Sequence, residues 1–311
     1  MSEYNFSIEA INVNKIYHRK NINIEALINF NINIPRGSIF GLLGPNGAGK
    51  STFINILGGL VKKNTGNIKI CGIDIDSNAK ETRKKIGIVP QELNIDPFFT
   101  PMELLNLQAG LYGVPKKERK IEEILSNVGL LEQRNAYART LSGGMRRRLL
   151  IAKALVHSPE IIILDEPTAG VDVDLRNSLW RYVKSLNKEG TTICLTTHYL
   201  EEAENLCDYI NIINKGKVIK NDTKKNILNL ISKKRADFIL DKKNYNNIPS
   251  ELKLFNPTIK ENLLSLTYDK KKIQLKSIIE ILNKNRIIFN EINTHESDLE
   301  DVFVDLINKN D

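Results

Sequence analysis

The stretch FGLLGPNGAGKST, residues 40–52, constrains this chain more than any other part of it. Gly44, Gly49, Lys50 and Ser51 meet the pattern glycine, four residues, glycine, lysine, hydroxyl. Ahead of the loop, Ser38-Ile39-Phe40-Gly41-Leu42-Leu43 has the unbroken apolar character of a buried parallel strand. Behind it, Thr52-Phe53-Ile54-Asn55-Ile56-Leu57 reads as a helix entering the core. Strand, glycine-rich turn and helix make a phosphate cradle: glycines let successive backbone N–H groups point inward, and the helix start adds its positive end. In that reading Lys50 reaches the β- and γ-phosphates and the Ser51 hydroxyl ligates Mg²⁺. The loop sets the fold class, α/β with ligands at the strand C-termini, but not what the nucleotide is for.

A chain of 311 residues exceeds one comfortable core, so one large and one small domain are expected. Its net charge of +8 is spread over scattered lysines in a background heavy in Asn and Ile, and so says little about partners. Cys71, Cys194 and Cys207 are odd in number and form no C-x-x-C pair, which argues against a disulfide framework or zinc site and fits a reducing cytosol. Residues 1–10 carry acids and asparagines rather than a basic start and an apolar run, so no secretory leader is expected. No stretch approaches the roughly 18 apolar residues that span a bilayer; any spanning would fall to other chains.

From about residue 6 to 225, short apolar strands alternate with amphipathic helices. Ile161-Ile162-Ile163-Leu164 and Thr192-Ile193-Cys194-Leu195 read as further buried strands, with a helix over residues 174–186 between them. Residues 92–140 differ: Thr100-Pro101-Met102-Glu103 is a capping box with proline at the first helical position, and Ile121, Ile124, Leu125 and Val128 share one helical face. This is a helical insertion. Residues 226–311 read as a small α+β domain. Its strands are expected over 236–240, 262–268 and 287–292, and its helices over 275–283 and 299–307; Lys233-Lys234-Arg235 and residues 244–249 read as linker and loop.

Two more pieces of chemistry stand in the larger part. The strand ending Leu164-Asp165-Glu166 puts one carboxylate beside the expected Mg²⁺ and a second where it can polarise a water. Leu141-Ser142-Gly143-Gly144-Met145 opens a helix with Ser142 as N-cap and two glycines baring their N–H groups, a second anion-binding helix start.

In this order the motifs resemble the ATP-binding subunit of an ABC transporter, a P-loop NTPase fold, over about residues 6 to 225. The resemblance assigns the whole loop, Gly44, Pro45, Asn46, Gly47, Ala48, Gly49, Lys50, Ser51 and Thr52, to the nucleotide. It implies that Tyr17 stacks on adenine and that Gln91, in Val89-Pro90-Gln91-Glu92, contacts Mg²⁺ and the attacking water. Asp165 and Ser51 would hold Mg²⁺, Glu166 would act on the water, and His198, in Thr196-Thr197-His198, would touch the γ-phosphate. Asp172, after Ala169-Gly170-Val171, would communicate across a head-to-tail pair of cassettes, in which Ser142, Gly143 and Gly144 reach the other copy's ATP. Met145 stands where much of the family has glutamine. That variant, the run from Leu195 to Glu204 and the tail Glu296-Ser297-Asp298-Leu299-Glu300-Asp301-Val302-Phe303 resemble the ABC-2-type exporters of drugs, antibiotics, or polysaccharide and lipid-linked material. The resemblance implies a membrane permease partner, a second cassette copy, and residence at the cytoplasmic face of the membrane. An importer cassette and a soluble ABC ATPase acting on ribosomes or nucleic acid are the alternatives.

Overall fold

Alternating apolar residues build the first two strands, β1 (Phe6–Arg19) and β2 (Ile22–Pro35), which pair antiparallel as a hairpin far longer than the short strands expected. The length survives several register shifts. At the irregular positions Asn12 and Asn29 take positive φ, and asparagine side chains replace missing ladder bonds: the Asn12 amide donates to Asn31 Oδ1 and the Asn29 amide to Asn14 Oδ1. The computed structural model that shows this describes residues 4–19, 22–168, 173–197, 199–230, 233–241, 248–270, 272–296 and 298–308. It divides into two compact units, residues 1–224 and 225–311.

In the first unit β3 (Ile39–Leu43) is followed by α1 (Lys50–Leu57), β4 (Thr65–Ile70), β5 (Ile73–Asp74), α2 (Ala79–Lys84) and β6 (Ile86–Val89). Three helices come next, α3 (Pro101–Leu111), α4 (Ile121–Asn127) and α5 (Gly143–Leu155). The chain then alternates through β7 (Ile161–Asp165), α6 (Val173–Lys188), β8 (Thr192–Thr196) and α7 (Leu200–Leu206) before the hairpin β9 (Tyr209–Asn214) and β10 (Lys217–Thr223). Two sheets result. The central one runs β10-β9-β3-β8-β7-β6, parallel from β9 to β6, with β10 antiparallel at one edge. The other, β2-β1-β4-β5, is antiparallel throughout, a layer that a reading of parallel strands joined by helices leaves out. One core serves both: Ile8, Phe30, Ile32 and Ile68 meet Phe40, Leu42, Ile161 and Ile163 around Phe53, Ile54 and Leu57 of α1. The loop before α1 is thus backed by the most buried part of the unit.

The helical layer has its own core, with Leu104, Leu105 and Ala109 of α3, Leu125 of α4, and Leu149 and Ala152 of α5. Thr100 caps α3 in a full capping box with Glu103 and with Pro101 in the first turn. Of the two adjacent phenylalanines before it, Phe99 packs on this core and Phe98 is exposed.

The second unit begins within α8 (Lys224–Leu228) and continues with β11 (Lys233–Leu240), β12 (Thr258–Lys260), β13 (Leu263–Asp269), α9 (Leu275–Lys284), β14 (Phe289–Glu296) and α10 (Leu299–Asn308). The antiparallel order β12-β13-β11-β14, with a 3₁₀ turn at Ser250–Phe255 in place of a first helix, is a split β-α-β-β-α-β arrangement. Ala236, Phe238, Leu240, Leu264 and Leu266 form its core with Leu252, Phe255 and Ile278. Lys233-Lys234-Arg235, read above as linker, instead open β11. Arg235 belongs in a strand because its guanidinium meets Asp237 at 2.7 Å and Ser265 at 3.0 Å on the polar side of the sheet. Residues 244–247 of the expected loop, and Ser297 of the tail motif, lie outside the described residues.

Candidate functional site

The loop from Gly44 to Thr52 leaves the C-terminal end of β3 and enters α1 with no side-chain cap at Gly49. A helix start without a side-chain cap leaves N–H groups that an anion can satisfy. Two close approaches hold its shape. A Cβ on Gly44 would lie 2.4 Å from the Ile213 carbonyl, and one on Gly49 would lie 2.5 Å from the Ala26 carbonyl. Gly47 and Gly49 both have positive φ, at 79° and 112°. The loop is pinned from behind by the Gly216 amide, which donates to the Ala48 carbonyl at 3.0 Å. Pro45, Asn46, Gly47 and Ser51 face outward, with Thr52 half-buried behind them.

Lys50 is 6% exposed and turns back over its own loop, donating to the Gly44 carbonyl at 2.7 Å and the Pro45 carbonyl at 3.1 Å. Burial draws its pKa down, against the opposing pull of Glu166 and Asp165. Burial pushes the Asp165 carboxyl above the ordinary range, with the Glu166 charge adding to the rise. The Thr196 hydroxyl bond, Lys50 and Arg147 pull the other way.

Asp165 and Glu166 leave β7 in different directions because Glu166 turns into the left-handed region, with φ 45°. Thr196, at the end of the neighbouring β8, makes that turn hold. Its hydroxyl accepts from the Glu166 amide at 3.0 Å and donates to Asp165 Oδ1 at 2.6 Å. Gln91, two residues past β6, donates from Nε2 to Glu166 Oε2 at 3.0 Å. Lys50, Asp165, Glu166 and Gln91 therefore gather at the C-terminal ends of β3, β7 and β6, where ligands sit in open α/β sheets.

Ser142, Gly143 and Gly144 head α5 in the helical layer. The Ser142 hydroxyl caps the helix by accepting from the Met145 amide at 3.2 Å, and a Cβ on Gly143 would meet nothing within 4 Å. Tyr17 sits on the β1–β2 hairpin with the Lys15 ammonium 4.9 Å above its ring. Asp172, the residues Ala169, Gly170 and Val171 before it, and His198 lie outside the described residues.

Three side chains were not singled out by the motifs. Thr196 was legible only as a polar end to an apolar strand. Arg147 lies on the buried face of α5 with Ile151, Ala154 and Leu155, four, seven and eight residues on, and that spacing is its signal. Glu202 of α7 is a buried carboxylate that accepts from the Thr168 hydroxyl at 2.9 Å and the Thr197 hydroxyl at 3.2 Å.

The donors near the loop are oxygens, the exposed Ser51 hydroxyl and the Asp165 carboxylate. Among the described residues no group of three or more His, Cys, Asp or Glu side chains forms a metal cage. The two oxygens, from Ser51 and Asp165, are of the kind that Mg²⁺ takes, one or two from the protein with the rest from water and phosphate. No helix among the described residues is long and apolar enough to cross a membrane.

The chain matches the model of the family described as ABC transporter over residues 27–169. It is 43% identical over 219 residues to the linearmycin resistance ATP-binding protein of Bacillus subtilis (strain 168), covering 70% of this chain and 69% of that protein. It is 44% identical over 190 residues to the Nod factor export ATP-binding protein I of Cupriavidus pinatubonensis, covering 60% of this chain and 58% of the relative, less than two thirds of its length. Among solved structures it superposes on a dimeric ATP-binding cassette in a post-hydrolysis state bound to ADP and Pi, with a TM-score of 0.63 and 31% identity over 70% of this chain and 98% of that one.

Proposed function

This chain belongs to the ABC transporter family of ATP-binding proteins, homologous to export ATP-binding proteins, and on that premise we propose that it is the ATPase subunit of an exporter. The observation that carries the reading is the gathering of Lys50, Asp165, Glu166 and Gln91 around a glycine loop at the C-terminal ends of β3, β7 and β6 in one sheet.

Each of these groups has work to do on MgATP. The loop amides and Lys50 bind the substrate phosphates; the Gly44 and Pro45 carbonyls hold the lysine ready until phosphate oxygens replace them. Ser51 and Asp165 would hold Mg²⁺, which neutralises developing phosphate charge when bound. Glu166 orients the attacking water and accepts its proton, and Gln91, already bonded to Glu166, steadies the same water. His198 and Asp172 join the site on the family pattern. Two copies pair head to tail, so that Ser142, Gly143 and Gly144 of one copy bind the ATP of the other, and hydrolysis releases the pair.

Force must leave through a contact with a membrane permease at its cytoplasmic face. The helical layer supplies a surface for it. Phe98 is 69% exposed, and Arg139 lies 5.7 Å over its ring and 5.3 Å over that of Tyr137, an aromatic patch with a cation at its centre. The cargo is proposed to be a drug, an antibiotic, or polysaccharide or lipid-linked material.

The test is a tagged Glu166→Gln chain pulled from detergent-solubilised cells with ATP and Mg²⁺. Retained nucleotide, no turnover and a co-purified multi-span membrane protein are expected. Recovery of ribosomes or nucleic acid without a membrane protein would overturn the transport reading.

A further inference from the structure

Arg147 is 5% exposed, yet both ends of its guanidinium are used. Nη1 donates to the Pro90 carbonyl at 2.7 Å and Nη2 to the Gln91 carbonyl at 2.9 Å, lengths typical of charge-assisted bonds. The arginine after it, Arg148, turns away and donates to the Val128 and Gly129 carbonyls. Among the described residues, Arg147 is the member of the run Arg146-Arg147-Arg148 that grips the segment leaving β6 for the proposed nucleotide site. That segment needs a grip, because β6 ends at Val89 and Pro90 has no N–H with which to continue a ladder.

We infer that Arg147 is a positioning residue that locks the Gln91 loop to α5, so that one rigid helix links a cassette's own site to its partner's. The inference rests on the proposed reading that Ser142–Gly144 contact the ATP of the second copy. Arg147 lies one turn beyond Gly143, on a helix of 13 residues packed into the helical core. At the other end of the clamp, the residue whose carbonyl it holds is the one whose side chain donates to Glu166 at 3.0 Å. A tilt of α5 on meeting the partner's nucleotide therefore moves the Gln91 backbone, and with it the amide that faces Glu166. The fork matters: Arg147 reaches the Pro90 and Gln91 carbonyls from two separate nitrogens held in one rigid plane, whereas a lysine offers a single rotatable nitrogen that holds them less firmly.

A structural arginine would only steady the fold, so the test asks whether Arg147 acts through Gln91. Full-length wild type, Gln91→Ala, Arg147→Met and the double variant are compared in MgATP hydrolysis and in titration with a fluorescent ATP analogue. Arg147→Met should lower kcat about tenfold, as loss of an orienting partner does, with nucleotide affinity held within about twofold. In the Gln91→Ala background the same change should do nothing further, and Arg147→Lys should recover part of the rate. Rate losses that multiply in the double variant, or an unchanged kcat in Arg147→Met, would overturn the inference. If Arg147→Met does not fold, Arg147→Lys runs the same cycle. A wild-type chain without hydrolysis would instead sink the ATPase reading. Arg147 is then judged by hydrogen exchange, where faster exchange at residues 91–96 in Arg147→Lys supports the clamp and unchanged exchange refutes it.

Discussion

Gly49 and Gly47 show how differently two glycines of one loop can be constrained. Gly49 combines φ 112° with a Cβ position 2.5 Å from a backbone carbonyl, so Gly49→Ala must both strain the backbone and displace Ala26. We expect a loss of roughly 2–4 kcal/mol in urea unfolding, with tight ATP binding abolished in a fluorescent-nucleotide titration. Gly47 has φ 79° but open space around it, and asparagine tolerates that conformation, so Gly47→Asn should cost under about 1 kcal/mol in the same unfolding experiment. Equal losses from the two changes would refute the geometric distinction. At this scale a sequence reveals residues whose chemistry is tied to spacing. Lys50, Asp165 and Glu166 stand out in that way, Gln91 only through the family resemblance, and the fold gathers all four. Thr196 and Arg147 do not, because what they hold lies on other elements: the Glu166 amide on one side, two loop carbonyls on the other.

Elements were legible where one period persisted. The unbroken apolar runs became β3, β7 and β8, and the three-and-four spacing of Ile121, Leu125 and their neighbours became α4. The long β1–β2 hairpin was hidden because asparagines at its irregular positions break the alternation while their side chains repair the ladder. A local arrangement just past the end of α5 leads to an expected response to acid. There His157 stacks on Tyr112, with ring centroids 3.7 Å apart, and its Nε2 donates to the Ile86 carbonyl at 3.1 Å. Its Nδ1 is buried with no hydrogen-bond partner among the described residues. A second proton would have nowhere to go, and burial holds the pKa below the ordinary histidine value. The folded chain therefore binds fewer protons than the unfolded one as pH drops through that value, and stability falls with it. The urea midpoint should drop more steeply between pH 7.5 and 5.5 in wild type than in His157→Gln, which keeps a donor for Ile86. Parallel curves would clear His157 of the effect.

Each of the two units encloses its own apolar interior, and the residues proposed for the nucleotide site belong to the first. For the second unit the sequence showed strands and helices but not their order. The order β12-β13-β11-β14 depends on pairings between strands distant in sequence, such as Phe238 with both Leu264 and Ile292. Phe238 is fully buried on β11, one of the two inner strands, with its ring edge-on to Phe289 at 5.2 Å. Phe238→Ala removes that contact and leaves a cavity that a small core closes poorly, at a cost of about 3–5 kcal/mol. A unit of this size has a stability of only about 4–13 kcal/mol, so the change should lower or abolish a cooperative melt in a fragment of residues 225–311. In the full chain the same substitution should expose the second unit to protease, while fluorescent-ATP affinity stays within about twofold, since Lys50 and its loop rest on the Phe40, Phe53 and Ile163 core. A matching loss of ATP affinity would mean that the phosphate loop draws its stability from the second unit as well as from its own core.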